Sequence, residues 1–254
     1  MKIATWNVNS LRVRLPQVLD WLARETPDVF CLQETKLTDD QFPAAEVSAA
    51  GYVATYIGQK SYNGVCTLTR TPVAEAMNHL PNVDASQKRF LAVTVGDVRV
   101  VNVYVPNGES IGSSKYVYKL GWMQALAAYL AEEQKRYPKL VVVGDFNVAP
   151  EECDVHNPKR WEGKVLFSEP ERAAFRGLLD TGVVDAFRRF PQPEKSFTWW
   201  DYRLDGFARN WGLRIDHVLC SSEFAAQCHV CRIDLEPRRH ERPSDHTPVI
   251  AEFA

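Results

Sequence analysis

Residues 140–148, LVVVGDFNV, constrain the fold more than any other stretch of the chain. Val141, Val142 and Val143 are consecutive and β-branched, a pattern suited to a buried strand. Gly144 ends the run. Asp145 and Asn147 then follow two apart, and in an extended chain such positions share a side. The reading is a buried strand that presents a carboxylate and a carboxamide together at its open end.

Similar runs recur along the chain. Strands are expected at 2–8, 28–34, 52–58, 64–70, 90–95 and 98–105, the last two joined by the hairpin signal Gly96-Asp97. A helix is expected over 13–24, with Leu15, Val18, Leu19 and Leu22 on one face. A longer one is expected over 116–136, with Tyr118, Trp122, Leu126, Tyr129 and Leu130 on a stripe, and a third over 169–180, with Glu171 near its start. The final third returns to strands at 196–200, 214–220, 228–234 and 247–253. Polar stretches at 106–115, 150–168 and 201–212 read as loops, where function usually sits. No repeat or low-complexity linker divides the chain. Hairpins mixed with helices imply one mixed α/β domain over 1–254, with two sheets covered by helices.

The 254 residues carry a net charge of −2, so overall charge gives no sign of a nucleic-acid partner, and such a reading must rest on local patches. No apolar run is long enough to span a membrane. The start, MKIATWNV, lacks the apolar stretch of a signal peptide, which makes a cytoplasmic protein the expectation. Most of the six cysteines lie in apolar runs and are expected as reduced, buried thiols. Cys228-x-x-Cys231 has a zinc-like spacing. No second pair follows, and in a strand the two would face opposite sides, so no zinc site is expected.

Other strands also end in short polar residues: Asn7 and Asn9, Glu34, Tyr104 and Asn107, Asp216, and the pair Asp245 and His246 before the last strand. Each alone reads as a turn residue. Together they form a set of oxygen donors at one end of a sheet, which suits a hard divalent cation. Glu34 has no obvious basic partner nearby in the sequence. One carboxylate to activate a water, an amide to hold it, and a metal with a cationic group to offset phosphate charge would suit phosphodiester hydrolysis. Asp145 and Asn147 are placed to hold and activate the nucleophile.

The motifs TWNVNSLR, LQETK, YNGV, VNVYVPNG, VVGDFNVAPEECDV, TWWDYR, GLRIDHVL and RPSDHTPV occur in order from Met1 to about Phe253. In this the chain resembles the exonuclease III family of apurinic/apyrimidinic endonucleases, within the endonuclease–exonuclease–phosphatase superfamily. The resemblance implies a four-layered α/β sandwich: two facing mixed sheets flanked by helices, with the active site at one edge. It implies a Mg2+-dependent DNA-repair nuclease, with Mn2+ expected to substitute. The substrate would be double-stranded DNA, cut 5′ to abasic sites and/or trimmed at blocked 3′ ends (3′-5′ exonuclease, 3′-phosphodiesterase, 3′-phosphatase), and the protein is expected as a monomer.

By motif, Glu34 resembles the principal metal ligand, with Asn7 beside it. Asp145 resembles the residue that activates the water or, on another view, protonates the leaving group. Asn147 steadies it, and both are included in the metal set. Tyr104 contacts phosphate, His246 contacts a non-bridging oxygen, Asp216 orients that histidine, and Asp245 lies near a second metal position. Asn9 stands where some relatives have an aspartate, so it is not expected as a ligand. Asn107 is assigned to the DNA side. Trp199, Leu213 and Ile215, with Phe167 closing a wall, are expected to form an apolar pocket for a base-free sugar, which a bulky Phe167 would crowd. Phosphate contacts are expected from Lys115 with Lys119, from Arg160 beside Lys159, and from Arg238, Arg239 and Arg242. Rival readings are lipid, inositol or poly(A) phosphoesterases of the same superfamily, and a non-catalytic DNA-binding descendant. The last would have lost a metal carboxylate or the histidine, and here Glu34, Asp145, Asn147 and His246 are all present.

Overall fold

The computed structural model describes all 254 residues. In chain order the elements are β1 (Lys2–Asn7), α1 (Leu11–Glu25), β2 (Val29–Gln33), α2 (Ala44–Ala49), β3 (Val53–Ile57), β4 (Val65–Thr69), β5 (Glu75–Met77), β6 (Phe90–Val95), β7 (Val98–Tyr104) and α3 (Ser114–Arg136). There follow β8 (Leu140–Asp145), α4 (Pro158–Trp161), α5 (Glu169–Leu179), β9 (Val183–Asp185), β10 (Trp199–Trp200), β11 (Gly212–Leu213), β12 (Asp216–Ser221), α6 (Ser222–Ala225), β13 (Cys228–Ile233) and β14 (Val249–Phe253).

Two six-stranded sheets form, in the orders β13-β14-β1-β2-β4-β3 and β5-β6-β7-β8-β12-β9. Each mixes one parallel pairing, β1 with β2 and β7 with β8, into antiparallel neighbours. Strands such as β2, β4, β6 and β8 are buried along their whole length, which is why their sequences are continuously apolar rather than alternating. One set of their side chains meets between the sheets, where Ile3, Val29, Val93, Val100, Val141, Val143 and Val218 share a core. The opposite faces pack outward. Val101, Val103, Val142 and Leu219 meet Trp122, Met123, Leu126 and Phe175 of α3 and α5, while Trp6, Phe30 and Leu68 meet Val18, Trp21 and Leu22 of α1. The layers therefore run helix, sheet, sheet, helix, as the resemblance implied.

One polar bridge crosses the inner core. Gln33 Nε2 donates to Asn102 Oδ1 at 2.8 Å and to Thr5 Oγ1 at 2.8 Å, and Asn102 Nδ2 donates to Cys66 O at 2.8 Å. These buried amide bonds fix the sheets' mutual register, because a slip would strand their donors without partners.

The helix boundaries hold with small shifts. α1 begins two residues before the expected start, and its buried line is Leu11, Val18, Trp21 and Leu22, with Leu15 and Leu19 only partly covered. α5 opens on a capping box in which Ser168 and Glu171 reciprocate. The final-third strands at 196–200 and 214–220 are shorter than read. Only Trp199–Trp200, Gly212–Leu213 and Asp216–Ser221 pair, because Thr198 Oγ1 accepts the Ile215 and Asp216 amides at 3.0 and 3.1 Å in place of a ladder bond. Cys228 and Cys231 do not face opposite sides as a regular strand would place them: a bulge between Cys228 and Val230 adds a residue, so both thiols turn into the inner core. All six cysteines are free, and only Cys153 is exposed. No helix is long and apolar enough to cross a membrane.

Gly144 explains its place in LVVVGDFNV. Its φ is +142°, and a Cβ there would lie 1.9 Å from Val103 O on β7. Gly144→Ala is expected to cost about 2–4 kcal/mol and lower Tm by on the order of 10 °C. Gly177→Ala, in open space on α5, is the control and should leave Tm within about 2 °C. Equal melting of both variants in a calorimeter would contradict this account of β8.

Candidate active site

Strand topology gathers the candidate residues at one edge. Asn7 ends β1, Glu34 follows β2, and Tyr104 and Asp145 end the parallel neighbours β7 and β8 in direct register. Asp216 begins β12 opposite Asp145. The loop before β14 brings His246 to the same place, fixed by Trp6 Nε1–H donating to His246 O at 3.1 Å and Ser244 Oγ donating to Asn7 O at 2.7 Å.

Asp145 and Asn147 do meet, but not as neighbours on an extended face. β8 stops at Asp145, and Asn147 takes a left-handed backbone with φ +51°. The chain thereby folds back so that the Asn147 backbone N–H donates to Asp145 Oδ1 at 2.8 Å and its side-chain amide to Oδ2 at 3.2 Å. Asparagine tolerates that backbone better than most residues. Asn107 Nδ2 donates to Asn147 Oδ1 at 3.1 Å and so orients that amide.

Glu34, Asp145 and His246 place one ligand atom each within 4.8 Å of one another. The Asn7 amide donates to Glu34 Oε1 at 2.8 Å and to Asp145 Oδ2 at 2.9 Å. Burial opposes the charge on Glu34, but Lys36 and Asn7 outweigh it and hold the carboxyl below the usual range. That corrects the sequence reading, which gave Glu34 no basic partner: Lys36 Nζ lies 2.8 Å from Glu34 Oε2. Burial pushes Asp145 up to about 7, with the charges of Asp216 and Glu34 adding to it and His246 and Asn7 opposing. Burial alone would depress His246, but Asp216 and then Asp145 raise it to about 10. His246 Nδ1 lies 2.9 Å from Asp216 Oδ2, and its Nε2 lies 3.7 Å from Asp145 Oδ2. The imidazolium is thus sandwiched between carboxylates. Tyr104 is pushed well above the ordinary phenol range by burial and by the charges of Glu34 and Asp145. Arg89 lies 4.5 Å over its ring.

Asp245 stands apart from this cluster. Its oxygens accept from Asn9 Nδ2 at 2.9 Å and Trp199 Nε1 at 3.0 Å. The apolar residues do assemble: Phe167, Leu213 and Ile215 are buried together with Ala149, Val155 and Leu166, and Trp199 packs against them. Arg214, between Leu213 and Ile215, turns to Asp154 and Asp185 instead.

The basic residues divide. Arg160 and Arg242 are exposed, and Lys115 is exposed but paired with Glu109 at 3.1 Å. Arg238 is not a surface cation, unlike Arg239. It is buried against the rings of Trp200, Tyr202 and Phe207 and donates to Ser244 O, so it holds the SDH loop rather than offering itself to phosphate. Lys119 is likewise fully buried in an ion pair with Glu171, and its ammonium also donates to Asn107 O at 3.1 Å and Asn147 O at 2.6 Å. Glu171 in turn accepts from the Leu166 and Ser168 amides at 3.0 and 3.1 Å. Sequence reading gave neither residue this part, although a lysine on the apolar stripe of α3 was a signal.

Residues 4–246 match the Endonuclease/Exonuclease/phosphatase family, and the chain belongs to it. Full-length likeness to exodeoxyribonuclease III and to AP endonucleases makes it a DNA-repair nuclease. It is 37% identical to exodeoxyribonuclease III of Haemophilus influenzae, with 100% of each chain covered. A solved 3′ phosphatase from Neisseria, bound to a product DNA hairpin, superposes with a TM-score of 0.98 at 47% identity, covering 100% of this chain and 99% of the other. An AP endonuclease from Archaeoglobus fulgidus gives 0.95 at 38% identity, with the same coverage.

In metal-free solution, NMR titration of the His246 ring should show it protonated through neutral pH, well above the ordinary histidine value of about 6.5. Asp216→Asn removes the larger attracting charge and should move that titration down by one unit or more, about the effect of an opposite charge at this range. An unshifted titration would mean that Asp216 does not hold the proton.

Proposed function

We propose that the chain hydrolyses phosphodiesters in duplex DNA with Mg2+, which Mn2+ can replace, processing 3′ ends and cutting 5′ to abasic sites. The observation that carries this reading is the convergence of Glu34, Asp145 and His246 at one sheet edge. The donor set fits a hard cation: two carboxylates from opposite sheets, with Asp145 pushed up by burial and then by its like-charged neighbours, which bound positive charge would offset. Glu34 and Asp145 would hold the ion, with the Asn7 and Asn147 amides beside them. When bound, the ion supplies charge to the phosphate oxygens and favours an ionised water.

The chain's own residues do the rest. Asp145, fixed by two donors from Asn147, accepts the proton of the attacking water. Asn147 also orients that water. His246 carries a proton on Nε2 because Asp216 engages Nδ1, and it faces a non-bridging phosphate oxygen with positive charge. Tyr104, kept neutral by burial and then by its acidic neighbours, donates its hydroxyl to phosphate. Asp245 acts by fixing Trp199 and Asn9 rather than as a first metal ligand.

Glu34→Ala is expected to raise the Mg2+ concentration needed for half-maximal cleavage, while Asp145→Asn should lower the rate by roughly 10²–10⁴-fold at saturating Mg2+. Circular dichroism checks that both fold. An unchanged Mg2+ titration in Glu34→Ala removes that residue from the metal set.

A second point concerns the balance of activities. A base-free sugar leaves the duplex cheaply, but it needs room. Phe167 is only 5% exposed and fills the apolar cluster beside Trp199, so the site favours 3′-end processing over internal abasic cleavage. Phe167→Gly should raise the ratio of abasic cleavage to 3′-phosphate removal, and Trp199→Ala should lower it. The same ratio in all three proteins would rule out a sugar pocket formed by these residues.

A further inference from the structure

Trp199 also lines a cavity of 580 Å³ that the mechanism does not use. Its walls include the indoles of Trp161, Trp199 and Trp211 and the imidazole of His156, with Arg160 and Lys164 also lining it. All three tryptophans are partly exposed, and Trp211 is already covered by Arg209, 4.7 Å over its ring, so Trp161 and Trp199 are the walls left for a ligand. His156 stacks on Trp211 at 6.1 Å with an interplanar angle of 17°, which fixes that wall, and Arg160 lies 5.8 Å over the same indole. The volume is in the range of small-ligand sites.

The charges are informative. Arg203, also on this wall, is taken up by Asp201. Neither Arg160 nor Lys164 pairs with any carboxylate, which leaves two free cations beside aromatic walls. The cavity is also close to the chemistry. Trp199 donates its indole N–H to Asp245 at 3.0 Å, and its backbone bridges to His246. Trp199 thus lines the cavity and touches the catalytic edge.

Aromatic faces with unpaired cations suit a nucleobase and its phosphate. A base stacked on an aromatic side chain gains about 1–3 kcal/mol, whichever base it is, and a guanidinium matches phosphate oxygens. A base-free sugar has no face to stack. We propose that this cavity receives the unpaired nucleobase of the nucleotide next to the scissile phosphate, with Arg160 and Lys164 on its flanking phosphate. This rests on the DNA-nuclease reading and adds a preference to it. Extruding a base costs a few kcal/mol in a paired duplex and least where the base is already unpaired. The cavity therefore biases the enzyme toward mismatched or frayed 3′ ends.

The test is fluorescence anisotropy in EDTA, where no cleavage occurs, with three duplexes that differ only at the 3′ terminus: paired, mismatched, and terminated by a base-free nucleotide. Wild type should bind the mismatched end roughly 5- to 100-fold more tightly than the base-free end. Trp161→Leu should bring that ratio close to one and leave binding of the paired duplex unchanged. Trp161→Phe, which keeps an aromatic face, should retain most of it. Equal binding of the mismatched and base-free ends by wild type would overturn the proposal. So would a ratio that survives Trp161→Leu. If the paired duplex binds and the base has no effect, only the cavity assignment fails. If no duplex binds, the nuclease reading fails with it.

Discussion

One carboxamide joins the two halves of the molecule where it matters. Asn7, at the end of a strand in one sheet, donates both to Glu34 on its own sheet and to Asp145 on the other. Burial, with the charges of Asp216 and Glu34, makes Asp145 resist ionisation there, while Lys36 and Asn7 keep Glu34 charged. The fold holds the two acids together because the sheets that carry them cannot shift. Their inner faces share a close-packed core, and the Gln33–Asn102 bridge crosses it. The negative potential at the edge follows directly from the sheet packing. His246 and Lys36 answer part of it with positive charge, and what remains makes the edge a place for a cation.

A second buried pair fixes the loops around that edge. Lys119 and Glu171 are both without solvent contact, and removing one partner of such a pair strands the other, at a cost of about 3–5 kcal/mol. The pair ties the carbonyls of Asn107 and Asn147 to the amides of Leu166 and Ser168. Asn147, which donates to Asp145, and the loop that carries Phe167 are therefore braced against one buried charge pair. The two loops share a support, so a change in α3 or α5 reaches both.

Much of this was legible in the sequence because burial leaves a plain trace there. LVVVGDFN, VFCLQE and VRVVNVY are apolar runs that end in acceptors, and each proved to be a covered strand ending at the site. The sequence hid what depends on backbone detail or on distant partners. A left-handed turn, not strand alternation, brings Asn147 to Asp145. A bulge turns Cys228 and Cys231 to the same side. Arg238 and Lys119 looked like surface cations, yet aromatic rings from residues 200–207 cover the first and α5 covers the second. Lys36 was visible in LQETK two residues after Glu34, but the expected strand ended at Glu34 and left Lys36 in the following turn with no stated partner. The left-handed backbones at Glu34 and Lys36 bring the two together.

The central claim is that this edge binds a catalytic cation between Glu34 and Asp145. Crystals soaked in Mn2+ and measured at its absorption edge test it without reference to activity. The account predicts an anomalous peak within coordinating distance of both Glu34 and Asp145, and its loss in Glu34→Ala. A peak confined to the Asp245 side of the edge, or none at Mn2+ concentrations that support cleavage, would contradict it.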